Sequence, residues 1–165
     1  MLRKVREESA LSHEPRRSVP SAKAAVEESG RHICFAAMQE PTQDTWYLDS
    51  GASEHMTGNA ANLDWNDKVE QQKVVLADGK VLFSKRKGTK NLYARDDKGS
   101  SVQIKLERVL VVEGLSVNLI SVQAITRKGF EVRFNCNECW ILKNGRTVVT
   151  GIRDGQFYRL ASTNQ

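Results

Sequence analysis

Three features of the 165-residue sequence predict a mainly β fold: a small closed or partly open β-barrel with one short helix towards its C-terminal end. Tight-turn signals recur at Asp78-Gly79, Asp96 to Gly99, Asn144-Gly145 and Asp154-Gly155, residues whose backbone tolerates the left-handed conformations of hairpin turns. Between two of them, Val102, Ile104 and Leu106 alternate with Gln103, Lys105 and Glu107, the period of a strand buried on one face. One stretch, Asn118 to Lys128, has helical spacing instead. Many short strands joined by tight turns favour a barrel.

The elements follow in order. Residues 1–40 read as a disordered linker. Arg16-Arg17, Glu7-Glu8 and Glu27-Glu28 alternate with small residues and Pro20, and no sustained apolar face develops. A short apolar patch, Ile33 to Met38, precedes Pro41. The barrel is expected over 41–135. Trp46-Tyr47-Leu48 forms a strand running into Asp49, and Val74-Val75-Leu76 and Val81-Leu82-Phe83 flank the first hairpin turn. Asn91-Leu92-Tyr93 and Val102 to Val112 flank the second, and Val109 to Val112 is continuously apolar, as a strand end buried on both faces would be. In the helix, Leu119, Val122 and Ile125 share a face, Arg127-Lys128 suit the C-terminal end of the dipole, and Gly129 stops it. Phe130 to Phe134 resumes as a strand. Residues 136–165 form a hairpin extension with strands at Trp140 to Leu142, Thr147 to Ile152 and Phe157 to Leu160.

Composition narrows the function classes. Hydrophobic residues make up 39% and charged residues 27%, and no apolar run approaches the roughly 20 residues of a membrane helix. No apolar stretch follows the basic residues of Met1–Arg6, so no secretory signal is expected. Three cysteines, Cys34, Cys136 and Cys139, make no disulfide framework and suit a reducing, cytoplasmic setting, with a nuclear one as the alternative. No His or Cys follows Cys139 to complete a zinc site with Cys136-x-x-Cys139, and only His32 and Cys34 in the linker could supply a second ligand pair, so free thiols are expected and neither metal nor cofactor. Trp46, Trp65 and Trp140 read as core or interface residues. The net charge of +5 is spread out, densest at Lys85-Arg86-Lys87 with Lys90 nearby. Nucleic-acid binding therefore has only weak support.

The chemistry concentrates at Asp49. An apolar strand delivers a carboxylate into the loop Ser50-Gly51-Ala52-Ser53. Peptide hydrolysis without a metal or a covalent intermediate needs a base for water and an acid for the carbonyl oxygen. Two adjacent carboxylates sharing one proton supply both, because like charges about 3 Å apart cannot both ionise. Ser50 is placed to brace the loop. Gly51 lets the backbone approach so that its N–H reaches the carboxylate, and Ser53 helps to shape the turn. The chain offers no second copy of this segment: Asp78-Gly79 and Asp154-Gly155 lack the hydroxyl residue between Asp and Gly. A second catalytic Asp must come from another chain, and a two-fold homodimer would set Asp49 beside its own mate.

Asp49-Ser50-Gly51-Ala52-Ser53-Glu54-His55-Met56 resembles the protease motif of copia-type (Ty1-like) retrotransposon Pol polyproteins. So does the downstream segment Leu115-Ser116-Val117-Asn118-Leu119-Ile120-Ser121 with Gly129 and Phe130 to Phe134. The resemblance runs from about Trp46 to Leu160. It implies a retropepsin-like barrel over 41–135, with 136–165 leading towards the pre-integrase region. It also implies an aspartic endopeptidase that cleaves extended peptide at polyprotein junctions as a homodimer. The hairpin at Leu76, Ala77, Asp78, Gly79 and Lys80 would be the flap over substrate. His55 would pack or hydrogen-bond under the loop, since two carboxylates leave it no catalytic part. Val112-Glu113-Gly114 stands where retroviral proteases carry an apolar-apolar-Gly triplet. The competing readings are a non-catalytic docking module of Pol and a nucleic-acid-binding accessory to integration.

Overall fold

The computed structural model describes residues 31–34 and 44–161, with backbone alone for 31–34 and 65–70. The linker expected at 1–40 and the patch at Ile33 to Met38 thus lie, apart from the backbone of 31–34, outside the described residues, as does the Trp65 side chain. In chain order the strands are β1 (Arg31–Cys34), β2 (Trp46–Asp49), β3 (Met56–Thr57), β4 (Leu63–Leu76), β5 (Val81–Arg95), β6 (Ser101–Val112) and β7 (Asn118–Ser121). Helix α1 (Val122–Arg127) follows, then β8 (Glu131–Phe134), β9 (Glu138–Lys143), β10 (Arg146–Asp154) and β11 (Phe157–Leu160).

The eleven strands of the described residues join one sheet in the order β1-β4-β5-β6-β3-β7-β2-β11-β10-β9-β8. That order has two ends, so the sheet is open and the closed form of the expected barrel is corrected. The sheet nevertheless bends back on itself. Arg95 donates its N–H to the Ala161 carbonyl (2.9 Å), and the Thr150 hydroxyl donates to the Arg95 carbonyl (3.1 Å). These contacts tie the far end of β5 to the β10–β11 hairpin without a continuous ladder between them.

The expected turns form where Asx-Gly pairs stand. Asn144 and Gly145 both take positive φ, 51° and 74°, the pattern of a two-residue hairpin loop. Strand lengths differ from expectation. β5 is one strand of 15 residues where the apolar runs suggested two pieces. Its polar middle is paired to β4 on one side and β6 on the other, with Lys87, Gly88 and Thr89 buried. A ladder on both edges holds a segment extended without an apolar pattern.

The helix is also shorter than its spacing suggested. Asn118 to Ser121 is strand, parallel to β2 in the register Trp46↔Asn118 through Asp49↔Ser121. All four residues are buried, and their side chains divide between two cores. Leu119 joins Tyr47, Ala52, Met56, Leu110 and Val112 on one face. Ile120 joins Trp46, Leu48, Val109 and Val111 on the other. A strand apolar on both faces shows no alternation, and the run Val117-Asn118-Leu119-Ile120 therefore reads as helix or strand alike. Val109 to Val112 is buried throughout, as expected. β2, β7 and the end of β6 form the dry centre of the sheet, and Asp49 stands at its edge.

Candidate functional site

Asp49 ends β2, which is paired to β7 on one side and to β11 on the other. Trp46, Tyr47 and Leu48 are buried, and the chain surfaces at Asp49, half-buried, and Ser50, exposed. The Gly51 N–H donates to Asp49 Oδ1 at 2.7 Å. The chain then turns inward. Ala52 is 1% exposed, and its carbonyl accepts from the Ser121 hydroxyl at 2.6 Å. Ser53 is half-buried.

Ser121 is the fastening point of this loop. Fully buried, it sits between β7 and α1 and caps the helix, its Oγ accepting from the Ala124 N–H at 3.0 Å. One hydroxyl thus satisfies a carbonyl of the Asp49 loop and an orphan N–H of the helix. The Ser121 N–H donates to His55 Nδ1 at 3.1 Å, and the Leu110 N–H donates to the His55 carbonyl at 2.8 Å. An accepting Nδ1 requires neutral imidazole with its proton on Nε2. Burial, helped by the Lys128 charge, pushes the His55 pKa down to about 4. His55 is therefore a neutral brace. Glu54 and Arg108 lie 3.6 Å apart at the loop's outer side.

The candidate flap is the β4–β5 turn. Leu76 is buried in the same hydrophobic core as Tyr47 and Ala52. Ala77, Asp78, Gly79 and Lys80 are exposed. The tip is held by its own contacts: Gly79 N–H to the Leu76 carbonyl (3.0 Å), Lys80 N–H to Asp78 Oδ1 (3.0 Å) and Lys80 Nζ to Asp78 Oδ2 (3.1 Å). Of the loop residues Asp49, Ser50, Gly51, Ala52 and Ser53, Ala52 belongs to the same hydrophobic core as Leu76 at the flap base, while the tip projects into solvent.

Asp154 is engaged elsewhere: the Tyr47 hydroxyl donates to it at 3.0 Å, and Arg159 Nε stands 3.3 Å away. Cys136 is exposed and Cys139 buried, both free. No cluster of metal-binding side chains occurs among the described residues, and no helix there is long and apolar enough to cross a membrane. A cavity of about 520 Å³ lies between β6 and β10. Its wall is largely apolar and includes His55 but not Asp49.

Sequence reasoning singled out the loop but not Ser121, which holds it. The signal was present: a serine directly before Val122-Gln123-Ala124-Ile125 is an N-cap signature. Placing the helix start at Asn118 hid it.

A family model described as the β-barrel domain of Pol polyprotein matches residues 46–130. No curated protein and no solved structure matches the chain. The matched span contains the Asp49 loop, His55, the β4–β5 hairpin and the Ser121 cap, and the chain belongs to the Pol polyprotein β-barrel domain family, a region of retrotransposon Pol polyproteins.

Proposed function

We propose that this chain is half of an aspartic endopeptidase of retropepsin-like type from a copia-type Pol polyprotein, with Asp49 as its catalytic carboxylate. The observation that carries the reading is the Asp49 loop itself. A half-buried strand end presents a carboxylate, a glycine N–H orients one of its oxygens at 2.7 Å, and a buried serine and histidine hold the loop from behind. Such a brace fixes the carboxylate in place, and preorganisation is what positioning catalysis requires.

In the active dimer two Asp49 side chains face one another across the two-fold and share one proton. The ionised partner removes a proton from water as the oxygen attacks the carbonyl carbon, and the protonated partner gives its proton to the carbonyl oxygen. Collapse of the tetrahedral intermediate breaks the C–N bond, and the leaving nitrogen takes the proton first removed from water. The substrate is an extended peptide, held by strand-like pairing under the β4–β5 hairpin, and its natural source is the polyprotein.

A non-catalytic docking role in Pol is the second reading. It draws on the same contacts, since Ala52, His55 and Ser121 also tie the two cores together. Incubating the chain and Asp49→Asn with a polyprotein fragment separates the two. The protease reading expects cleavage by the parent chain, sensitive to pepstatin, and none by the variant. Equal cleavage by both, or none by either at high protein concentration, refutes it.

A further inference from the structure

β8 ends the sheet. It pairs with β9 in the register Glu131↔Leu142 through Phe134↔Cys139, and no strand among the described residues pairs with its outer edge. Glu131, Arg133 and Phe134 are exposed. The phase of the ladder is fixed at its end, where the Asn135 N–H donates to the Glu138 carbonyl at 2.9 Å. Alternation then turns the backbone groups of Arg133 and Glu131 towards β9, and those of Val132 and Phe134 outwards.

The sequence along this edge, Phe130-Glu131-Val132-Arg133-Phe134, is complementary to its own reverse. Antiparallel pairing of two copies centred on Val132 sets Val132 against Val132, the residue whose N–H and C=O are free to be exchanged. It sets Glu131 of each copy opposite Arg133 of the other, at the non-hydrogen-bonded positions where side chains come closest. On the opposite face it sets Phe130 against Phe134, which is 45% exposed in the single chain. Edges guarded against association carry like charges that repel a second copy. Here the signs are opposite in the one register that also aligns the free backbone groups.

We infer that the outer edge of β8 is a self-association surface, at which a second copy of this chain adds antiparallel across a two-fold through Val132. The surface is distinct from a dimer centred on Asp49. β9, β10 and β11 separate β8 from β2, four strand spacings or about 19 Å along the sheet, and a continuous sheet through β8 keeps the two Asp49 residues apart. With two different isologous surfaces, one chain links its neighbours in a row.

Charge exchange tests this. Sedimentation of the full chain over a concentration series is compared with Glu131→Arg, with Arg133→Glu and with both changes together. Each single reversal places like charges opposite one another twice per dimer and is expected to weaken association about tenfold. The double exchange restores opposite signs in the same register and is expected to recover the parent's affinity to within about threefold. A parent chain that stays monomeric, single reversals that associate like the parent, or a double exchange as weak as the singles would each overturn the inference.

Discussion

Replacing Ser121 by alanine removes one oxygen and almost no volume, so the consequences are those of its two hydrogen bonds. The hydroxyl caps α1 at Ala124 N (3.0 Å), and loss of such a cap costs about 1 kcal/mol. It also donates to the Ala52 carbonyl at 2.6 Å, which lies where no solvent can replace it; leaving a buried acceptor unpaired costs about 1–3 kcal/mol. Ser121→Ala is therefore expected to lower unfolding stability by about 2–4 kcal/mol, a large share of the 5–15 kcal/mol typical of a domain. In urea, with a slope of about 2 kcal/mol per molar, the midpoint falls by about 1–2 M with little change in slope. Thr126→Ala, which removes an exposed hydroxyl bonded only to the turn before it, serves as the control and shifts the midpoint by less than about 0.3 M. An equally small shift for Ser121→Ala would refute the assignment of Ser121 as the fastening point of the Asp49 loop.

His55 has a pKa of about 4 in the folded chain against about 6.5 unfolded. The unfolded chain therefore takes up the proton first, and stability present above about pH 6.5 is lost as pH falls through about 4, by up to about 3 kcal/mol. His55→Asn keeps an acceptor for the Ser121 N–H but cannot titrate, so its urea midpoint is expected to vary less over that window; identical pH profiles would contradict the neutral brace. At Gly151 an added Cβ would stand 2.5 Å from Cys139 Sγ and 2.6 Å from the Arg159 carbonyl oxygen. Gly151→Ala is expected to cost about 2–3 kcal/mol, and a melting temperature like the parent's would show that this contact yields. Burial pushes the Cys139 thiol up to about 11, whereas Cys136 is exposed. Alkylation mapped by mass spectrometry is expected to label Cys136 in the native chain and Cys139 only in denaturant, and native labelling of Cys139 would contradict its burial.

Local chemistry was legible in the sequence wherever one residue pair decides the backbone. The hairpin turns at Asp78-Gly79 and Asn144-Gly145, the alternation from Val102 to Glu107, and the Gly51 N–H on the Asp49 carboxylate all follow from such pairs. What escaped is set by partners distant in sequence. Asn118 to Ser121 carries the apolar density of a helix and becomes a strand because β2 supplies a parallel ladder and both faces find a core. β5 runs unbroken through Lys85 to Lys90 because β4 and β6 hold its backbone. Whether the sheet closes depends on its end strands, and no local pattern fixes that. Ser121 and His55 lie 66 positions apart in the sequence, so the brace behind Asp49 exists only once β7 and the loop have met.

The claim that Asp49 is half of a two-chain catalytic centre is tested most directly by mixing. Asp49→Asn is titrated into the parent chain at constant total concentration, and peptide cleavage is followed. If each active centre takes one Asp49 from each of two chains, activity falls as the square of the parent fraction, to about one quarter in an equal mixture. Activity proportional to the parent fraction, one half in that mixture, would show that a single chain suffices and would contradict the account.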